Sequence, residues 1–350
     1  MELAPRAFRL TTGASAAVLS ILAAGLIAGS ILYLHIAATH PGVLAEGRAF
    51  GGTVKVIPWR FLVGATMWAA AVLMWSLVLQ RMFPLDASEQ TISRGLWFDS
   101  LWFGGELARQ LSWIPLCIAG LILVKRHLLG DFELIAPNAM PRVMLVIVGI
   151  VAGDFLAYAS HIARHRFDFL WNFHAVHHSQ RELNLFTQHR FHDVDTIADL
   201  VIRTLPLMLL TPDLVVIGVY NTVALIHFRL YHSPIRSNYG PLRYILVTPQ
   251  SHRIHHASDP RLQNSNFGIF FSLWDHIFGT QHRAYDQYDA PLGLQDSSFP
   301  AEQDASAGEF AAVYAAQLVY PFARLLRLTT SEPAPELVSN KGFEITKSIR

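Results

Sequence analysis

Charge is the scarcest commodity in this 350-residue chain. Only 15% of its residues are Asp, Glu, Lys or Arg, while 52% are hydrophobic; a typical soluble domain carries about 25% charged residues. That balance excludes an ordinary soluble protein and points to an integral membrane protein. Cysteine is almost missing, with Cys117 alone in an apolar run. A single thiol rules out an intrachain disulfide framework, a CxxC redox pair and a cysteine-ligated iron–sulfur cluster. A net charge of +1 lacks the basic surplus of a nucleic-acid binder, so no nucleic-acid partner is expected. No histidine is followed by glutamate, which removes the HExxH zinc-protease pattern. The Glu-x-x-His pairs of soluble di-iron bundles are missing too.

Long apolar runs are present. Residues 14–38 and 61–80 are each long enough to cross a bilayer, which takes about 20 apolar residues. Residues 96–124 hold Asp99, Glu106 and Arg109, and predict a short or broken span at 111–124 with an interfacial or re-entrant lead-in, kinked at Pro115. Residues 143–160 form a cleaner span running into His161. Residues 197–229, broken by Pro206 and Pro212, predict two shorter helices meeting at "TPD". An amphipathic helix is expected over 308–327, and a loose tail from Thr329. The expected fold is an all-α integral membrane protein. It has about four transmembrane helices, re-entrant or interfacial helices, and a cytosolic helical cap. Its segments are 1–130 (transmembrane), 131–290 (histidine-rich) and 291–350 (C-terminal). Arg6 and Arg9 favour a cytoplasmic N-terminus. Four spans return the chain to that side near residue 160, although Lys125, Arg126 and Arg142 then fall in an outside loop.

The 17 histidines are unevenly spread. Three precede residue 160 and fourteen lie between His161 and His282. Three clusters stand out: "HIARH" (His161, His165), "HAVHH" (His174, His177, His178) and "HRIHH" (His252, His255, His256). Spacings of i, i+3 and i+4 put imidazoles on one helix face. One such motif is commonly a surface cluster. Three in one apolar chain point to metal, because imidazoles beside lipid are costly without a partner. Eight histidines exceed the four ligands of a tetrahedral ion, so two ions are expected. Imidazole suits iron and zinc alike.

In this order the three boxes resemble the fatty acid hydroxylase / sterol desaturase superfamily of membrane di-iron enzymes. "DFLAYASHIARH" (154–165), "HHSQRELNLFTQHRFHD" (177–193), "HSPIRSNYGPLRYILVTPQSHRIHH" (232–256) and "NSNFGIFFSLWDHIFGT" (264–280) are similar to the family's stretches. The resemblance covers about residues 143–282. It adds His232 as a ligand, with His227 five residues earlier as a further candidate. "HSP" at 232–234 departs from the family's His-Ser-Asn. His189 and His276 are extra to the pattern and read as surface residues or as groups outside the ligand set. Asp154 and Asp275 are the preferred carboxylate partners of ligand rings, ahead of Glu182, Asp193 and Asp195. Tyr158 shares the helical stripe of Asp154, His161 and His165. Asn184, Arg190 and His192 order the loop after the second box.

The resemblance implies two iron ions, O2 as co-substrate, and oxidation of a C–H bond in a membrane lipid. Hydroxylation is favoured, with desaturation by the same site as the alternative. A zinc-dependent membrane hydrolase is the competing class. "HPG" at 40–42 is similar to the haem-ligand loop of cytochrome b5, but the segment between the first two spans has only about twenty residues and reads as a turn. Electrons must therefore come from a separate reductase, ferredoxin or cytochrome b5-like donor. A multi-pass bacterial inner-membrane protein is expected, with the boxes on the cytoplasmic side (the ER membrane if eukaryotic).

Overall fold

The computed structural model describes residues 45–49, 52–56, 73–86, 92–130, 132–136, 139–210, 214–303 and 305–326. The expected span at 14–38, the "HPG" turn, the "TPD" turn and the tail from Thr329 lie outside the described residues. The described chain is mostly helical, in keeping with the all-α class expected, with one short hairpin added. Strands β1 (Ala45–Ala49) and β2 (Gly52–Val56) pair antiparallel, Ala45 opposite Val56 and Ala49 opposite Gly52. The period-two alternation in Thr53-Val54-Lys55-Val56 carried that signal.

Helix α1 covers residues 73–82, the second half of the second expected span. Helices α2 (Arg94–Leu111) and α3 (Trp113–Leu129) follow, bent by 44° at a break around Ser112. The break lies upstream of Pro115, where the kink was expected. Pro115 sits in the first turn of α3, where a missing N–H has no helical acceptor to lose. Helix α4 (Arg142–Arg166) has 25 residues, about 37 Å at 1.5 Å per residue. Among the described residues it is the one helix long and apolar enough to cross a membrane by itself; the bent pair α2–α3 is a second candidate.

After α5 (Asp168–His178), the stretch from residue 193 is not a simple helix. Helix α6 (Asp193–Asp199) widens into a π-helical turn, Leu200–Thr204, before α7 (Leu205–Leu210). Pro206 offers no N–H to the carbonyl four residues back, and the wider turn absorbs that mismatch. Helix α8 (Leu214–Tyr231) packs along α4. Gly153 permits the close approach, since a Cβ there would lie 3.1 Å from the Tyr220 ring. The short helices α9 (Pro249–His255), α10 (Pro260–Gln263) and α11 (Leu273–Phe278) precede α12 (Phe310–Leu325).

Helix α12, expected from the sequence pattern, docks on the histidine region. Gln317 accepts from Trp102 Nε1 at 3.3 Å, and Phe322 packs edge-on against Phe173. The tightest tie is ionic. Asp99, fully buried in α2, accepts from Gln180 (2.9 Å), Asn184 (2.8 Å), Thr187 (3.0 Å) and Arg190 Nε (2.9 Å). Arg190 also donates to Ser179 (2.7 Å) and pairs with Glu302 (2.8 Å). Three distant segments thus meet on one desolvated cluster. Breaking a buried ion pair by removing one partner costs about 3–5 kcal/mol. Asp99→Ala should therefore lower the unfolding midpoint of the detergent-solubilised protein by that order. An unchanged midpoint would show that the cluster is not structural.

Candidate metal centre

Four chain segments deliver the histidines. His161 and His165 occupy the last two turns of α4, and His174, His177 and His178 the last turn and a half of α5. His232 follows α8 directly, its N–H still bonded to the Phe228 carbonyl. His252 and His255 lie in α9, which Pro249 and a Thr248–Ser251 capping box start; His256 is its C-cap. Each of the nine is buried, except for partly buried His165.

They form two groups. The first holds His161, His165, His174 and His178, and the second His177, His232, His252 and His256. In the first, the His165 and His178 Nε2 atoms are 3.1 Å apart; His255 joins it, its Nε2 3.0 Å from that of His161. In the second, His232 Nε2 lies 3.3 Å from His177 Nε2 and 2.9 Å from His252 Nε2, which is 2.9 Å from His256 Nε2. The groups adjoin, with the His178 and His256 rings stacked at 4.4 Å. The spacing explains the partition. Within each HxxHH the i, i+4 pair serves one group and the middle histidine the other: 174 and 178 against 177, 252 and 256 against 255.

Ring orientation is set from behind. A carbonyl can only accept, so His161 Nδ1 donates to Phe267 O (2.9 Å), His255 Nδ1 to Ser265 O (2.7 Å) and His232 Nδ1 to Phe228 O (2.8 Å). His174 Nδ1 meets Asp195 Oδ2 at 3.1 Å, and its Nε2 has no partner among the described residues. These bonds leave Nε2 as the bare lone pair on each ring. Burial keeps the rings neutral: it holds His174, His177, His178, His252 and His256 well below the usual imidazole value, and takes His255 to about 4 and His232 to about 3. Burial also pushes the Asp195 carboxyl up to about 7 against the pull of Arg164, and a cation beyond His174 would favour its ionised form. Metal–nitrogen bonds of about 2.0–2.1 Å put two ligand nitrogens on one ion about 3 Å apart. The observed 2.9–3.3 Å and the neutral donors fit two ions.

A family model described as fatty acid hydroxylase matches residues 146–280. An ornithine lipid hydroxylase (OlsE) of Rhizobium tropici is 31% identical over 188 residues, covering 54% of this chain and 53% of that protein. Human alkylglycerol monooxygenase is 32% identical over 127 residues, 36% of this chain and 28% of that protein. A very-long-chain aldehyde decarbonylase (GL1-5) of Oryza sativa subsp. indica is 22% identical over 228 residues, 60% of this chain and 34% of that protein. This chain thus spans about half of the first of these and less of the others. No solved structure matches. Residues 146–280 are thus similar to the fatty acid hydroxylase family.

Around these histidines, the structure departs from several expectations. His227 stands outside both groups: its Nε2 donates to Val247 O at 2.8 Å and its ring packs on Tyr231 and Phe270. Asp154 and Asp275 touch no ligand ring. Asp154 accepts from Phe270 N, Phe271 N and Trp274 Nε1 at 2.9–3.0 Å. Asp275 accepts from Phe267 N and Gly268 N at 2.8 Å and from Thr280 at 2.6 Å, and Tyr158 bonds Thr280 at 2.9 Å. Together they hold the loop whose Phe267 carbonyl orients His161. Asn184 and Arg190 belong to the Asp99 cluster. His192 caps α6 and meets Leu318 O at 3.0 Å. His189 is buried rather than on the surface, and His276 is half-buried.

Asp195, ranked behind Asp154 and Asp275, is the carboxylate on a ligand ring. Arg164 (3.6 Å) ties it toward Asp199 (3.6 Å from the same guanidinium). Nothing local marks it, because 21 residues separate it from His174. Loss of such a partner typically weakens metal binding 10–100-fold. Asp195→Ala should show that loss in a chelator competition read by metal content. Unchanged affinity would reduce Asp195 to a packing role.

Proposed function

We propose that this protein is a membrane-bound, O2-dependent lipid hydroxylase with one iron ion in each histidine group. The observation that carries this reading is the pair of adjoining, buried, neutral imidazole groups with their Nε2 atoms converging. Two iron ions held there would supply O2 activation and oxidation of an unactivated C–H bond. The chain does the rest. His161, His165, His174, His178 and His255 hold one ion, and His177, His232, His252 and His256 the other. The carbonyls of Phe228, Ser265 and Phe267, with Asp195, aim the rings. The packed helices keep water from the site, where it would compete for an open metal position.

Hydrolysis by zinc needs a general base within reach of the attacking water. Asp195, the carboxylate bonded to a ligand ring, faces His174 from behind and is held by Arg164; this favours oxidation. Hydroxylation is preferred to desaturation because the relatives at 31–32% identity carry the names hydroxylase and monooxygenase. The substrate is a membrane lipid, and the electron donor is a separate reductase, ferredoxin or cytochrome b5-like protein. The chain is a multi-pass protein of a bacterial inner membrane with about four spans. Helix α4, whose C-terminal turns carry the first box, supports boxes placed at one membrane face, which we assign to the cytoplasmic side. The segments 1–130, 131–290 and 291–350 remain our division of the chain.

The test is comparative lipid mass spectrometry of cells with and without the gene. One lipid should lose a +16 Da partner on deletion (one oxygen by mass). A loss of two hydrogens instead would reassign the chain as a desaturase, and identical lipid profiles would overturn the reading. His177→Ala and His255→Ala, one from each group, should each abolish the product while the protein stays in the membrane. Metal analysis should find iron with O2 consumption. O2-independent turnover with zinc would establish the hydrolase.

A further inference from the structure

Four arginines are buried among the described residues: Arg109, Arg164, Arg190 and Arg229. Three of them face carboxylates: Glu106 and Asp193 for Arg109, Asp195 and Asp199 for Arg164, and Asp99 and Glu302 for Arg190. Arg229 has none among the described residues. It is 8% exposed, its Nη2 makes a 3.3 Å contact to His189 Nε2, and its Nε has no partner among the described residues. Beside it Gln188 is buried, with Nε2 2.9 Å from the same His189 nitrogen and Oε1 unpartnered.

The location makes the missing counter-ion matter. Arg229 precedes His232 by three residues, a spacing that puts both on one side of a helical turn. His232 belongs to the second histidine group, in which no carboxylate bonds a ring among the described residues. The first group has Asp195 behind His174, and the arginine near it is neutralised twice. A metal ion held by neutral imidazoles next to an unpaired guanidinium leaves local positive charge that burial makes expensive. An anion must balance it. Outward from His189 lies Phe103, its ring 4.9 Å away and partly exposed, stacked at 5.0 Å on Phe186. The side chains packed over His189 there are therefore aromatic and apolar.

We infer that the free donors of Arg229, with the remaining N–H of the Gln188 amide, form an oxyanion subsite that takes the acidic group of the lipid substrate, a phosphate or carboxylate, with His189 positioning both donors by accepting from them and the apolar part of that lipid passing over Phe103 and Phe186. This rests on the lipid-oxidation reading and names its substrate as an acidic lipid. A guanidinium presents a planar fork of donors suited to either group.

The test uses the full-length, iron-loaded protein in neutral detergent, titrated by calorimetry with dodecyl phosphate, dodecanoate, dodecanol and inorganic phosphate. At least one anionic amphiphile should bind. Arg229→Gln should weaken it tenfold or more and leave dodecanol binding unchanged. Gln188→Glu, which supplies an internal counter-ion to Arg229, should produce the same loss and guards against a fold effect of the first variant. Both variants should unfold no earlier than wild type, because each relieves an unpaired buried charge. Wild-type affinity in both variants, or no binding of either anion to wild type, overturns the proposal. Inorganic phosphate binding as tightly as dodecyl phosphate overturns the lipid assignment in favour of a free anion. Binding needs no turnover: a protein that consumes O2 but ignores the Arg229 change sinks this subsite alone, whereas anion binding without O2 consumption sinks the oxygenase reading alone.

Discussion

Nine imidazoles aimed at one another in a dry interior form an arrangement that the polypeptide cannot stabilise unaided. Facing lone pairs at 2.9–3.3 Å repel unless protons or cations lie between them. Burial makes protonation the costly choice, which is why the ring values fall so far. An ion in each group would relieve that repulsion, and at such a site metal-binding free energy becomes folding free energy. The surrounding structure follows from the need to hold those rings at fixed angles before and after the ions arrive.

Buried carboxylates carry most of that load, each in a different way. Asp195 acts on a ring directly. Asp154 and Asp275 act at one remove: they gather the N–H groups of residues 267–271, fixing the carbonyl that receives His161. Gly268 belongs to the same device, since a Cβ there would fall 2.8 Å from Asp275 Oδ2 and from Phe271 O. Asp99 works farther out, stitching the loop after the second box to α2 and, through Arg190 and Glu302, to the chain before α12. The N–H bonds that a buried carboxylate accepts offset part of its desolvation, so these acids fix geometry with their oxygens bonded.

Much of this was legible in the sequence because helical spacing encodes it. HxxxH and HxxHH project onto helix faces whatever the fold, and the structure brings together nine of the ten candidate ligands; His227 turned instead to a backbone carbonyl. The span at 143–160 and the helix at 308–327 rest on periodicity and hydropathy, and the structure has helices there. What stayed hidden depends on contacts between distant segments. Asp99 reads as a misfit in an apolar run until its partners 81–91 residues away are known. Asp195 looks no different from Asp193. Asp154 and Asp275 look like ring partners because sequence places them near boxes, whereas their oxygens are consumed by backbone N–H groups. The hairpin at 45–56 was missed because an apolar composition directed attention to helices.

The two HxxHH boxes settle a problem that soluble di-iron bundles meet with carboxylate ligands. Among the described residues no carboxylate lies in either histidine group, so none would set the spacing between two ions held there. Adjacent histidines on a helix point about 100° apart, and His177–His178 and His255–His256 each straddle the two groups. Each box helix therefore contributes to both sites at once, and the stacked His178 and His256 rings fill the space between them. Neither group can shift without moving a helix that also holds the other. The separation of the sites is a property of backbone geometry, which explains why the motif needs its doubled histidine and why a repeated HxxxH would build two independent sites instead.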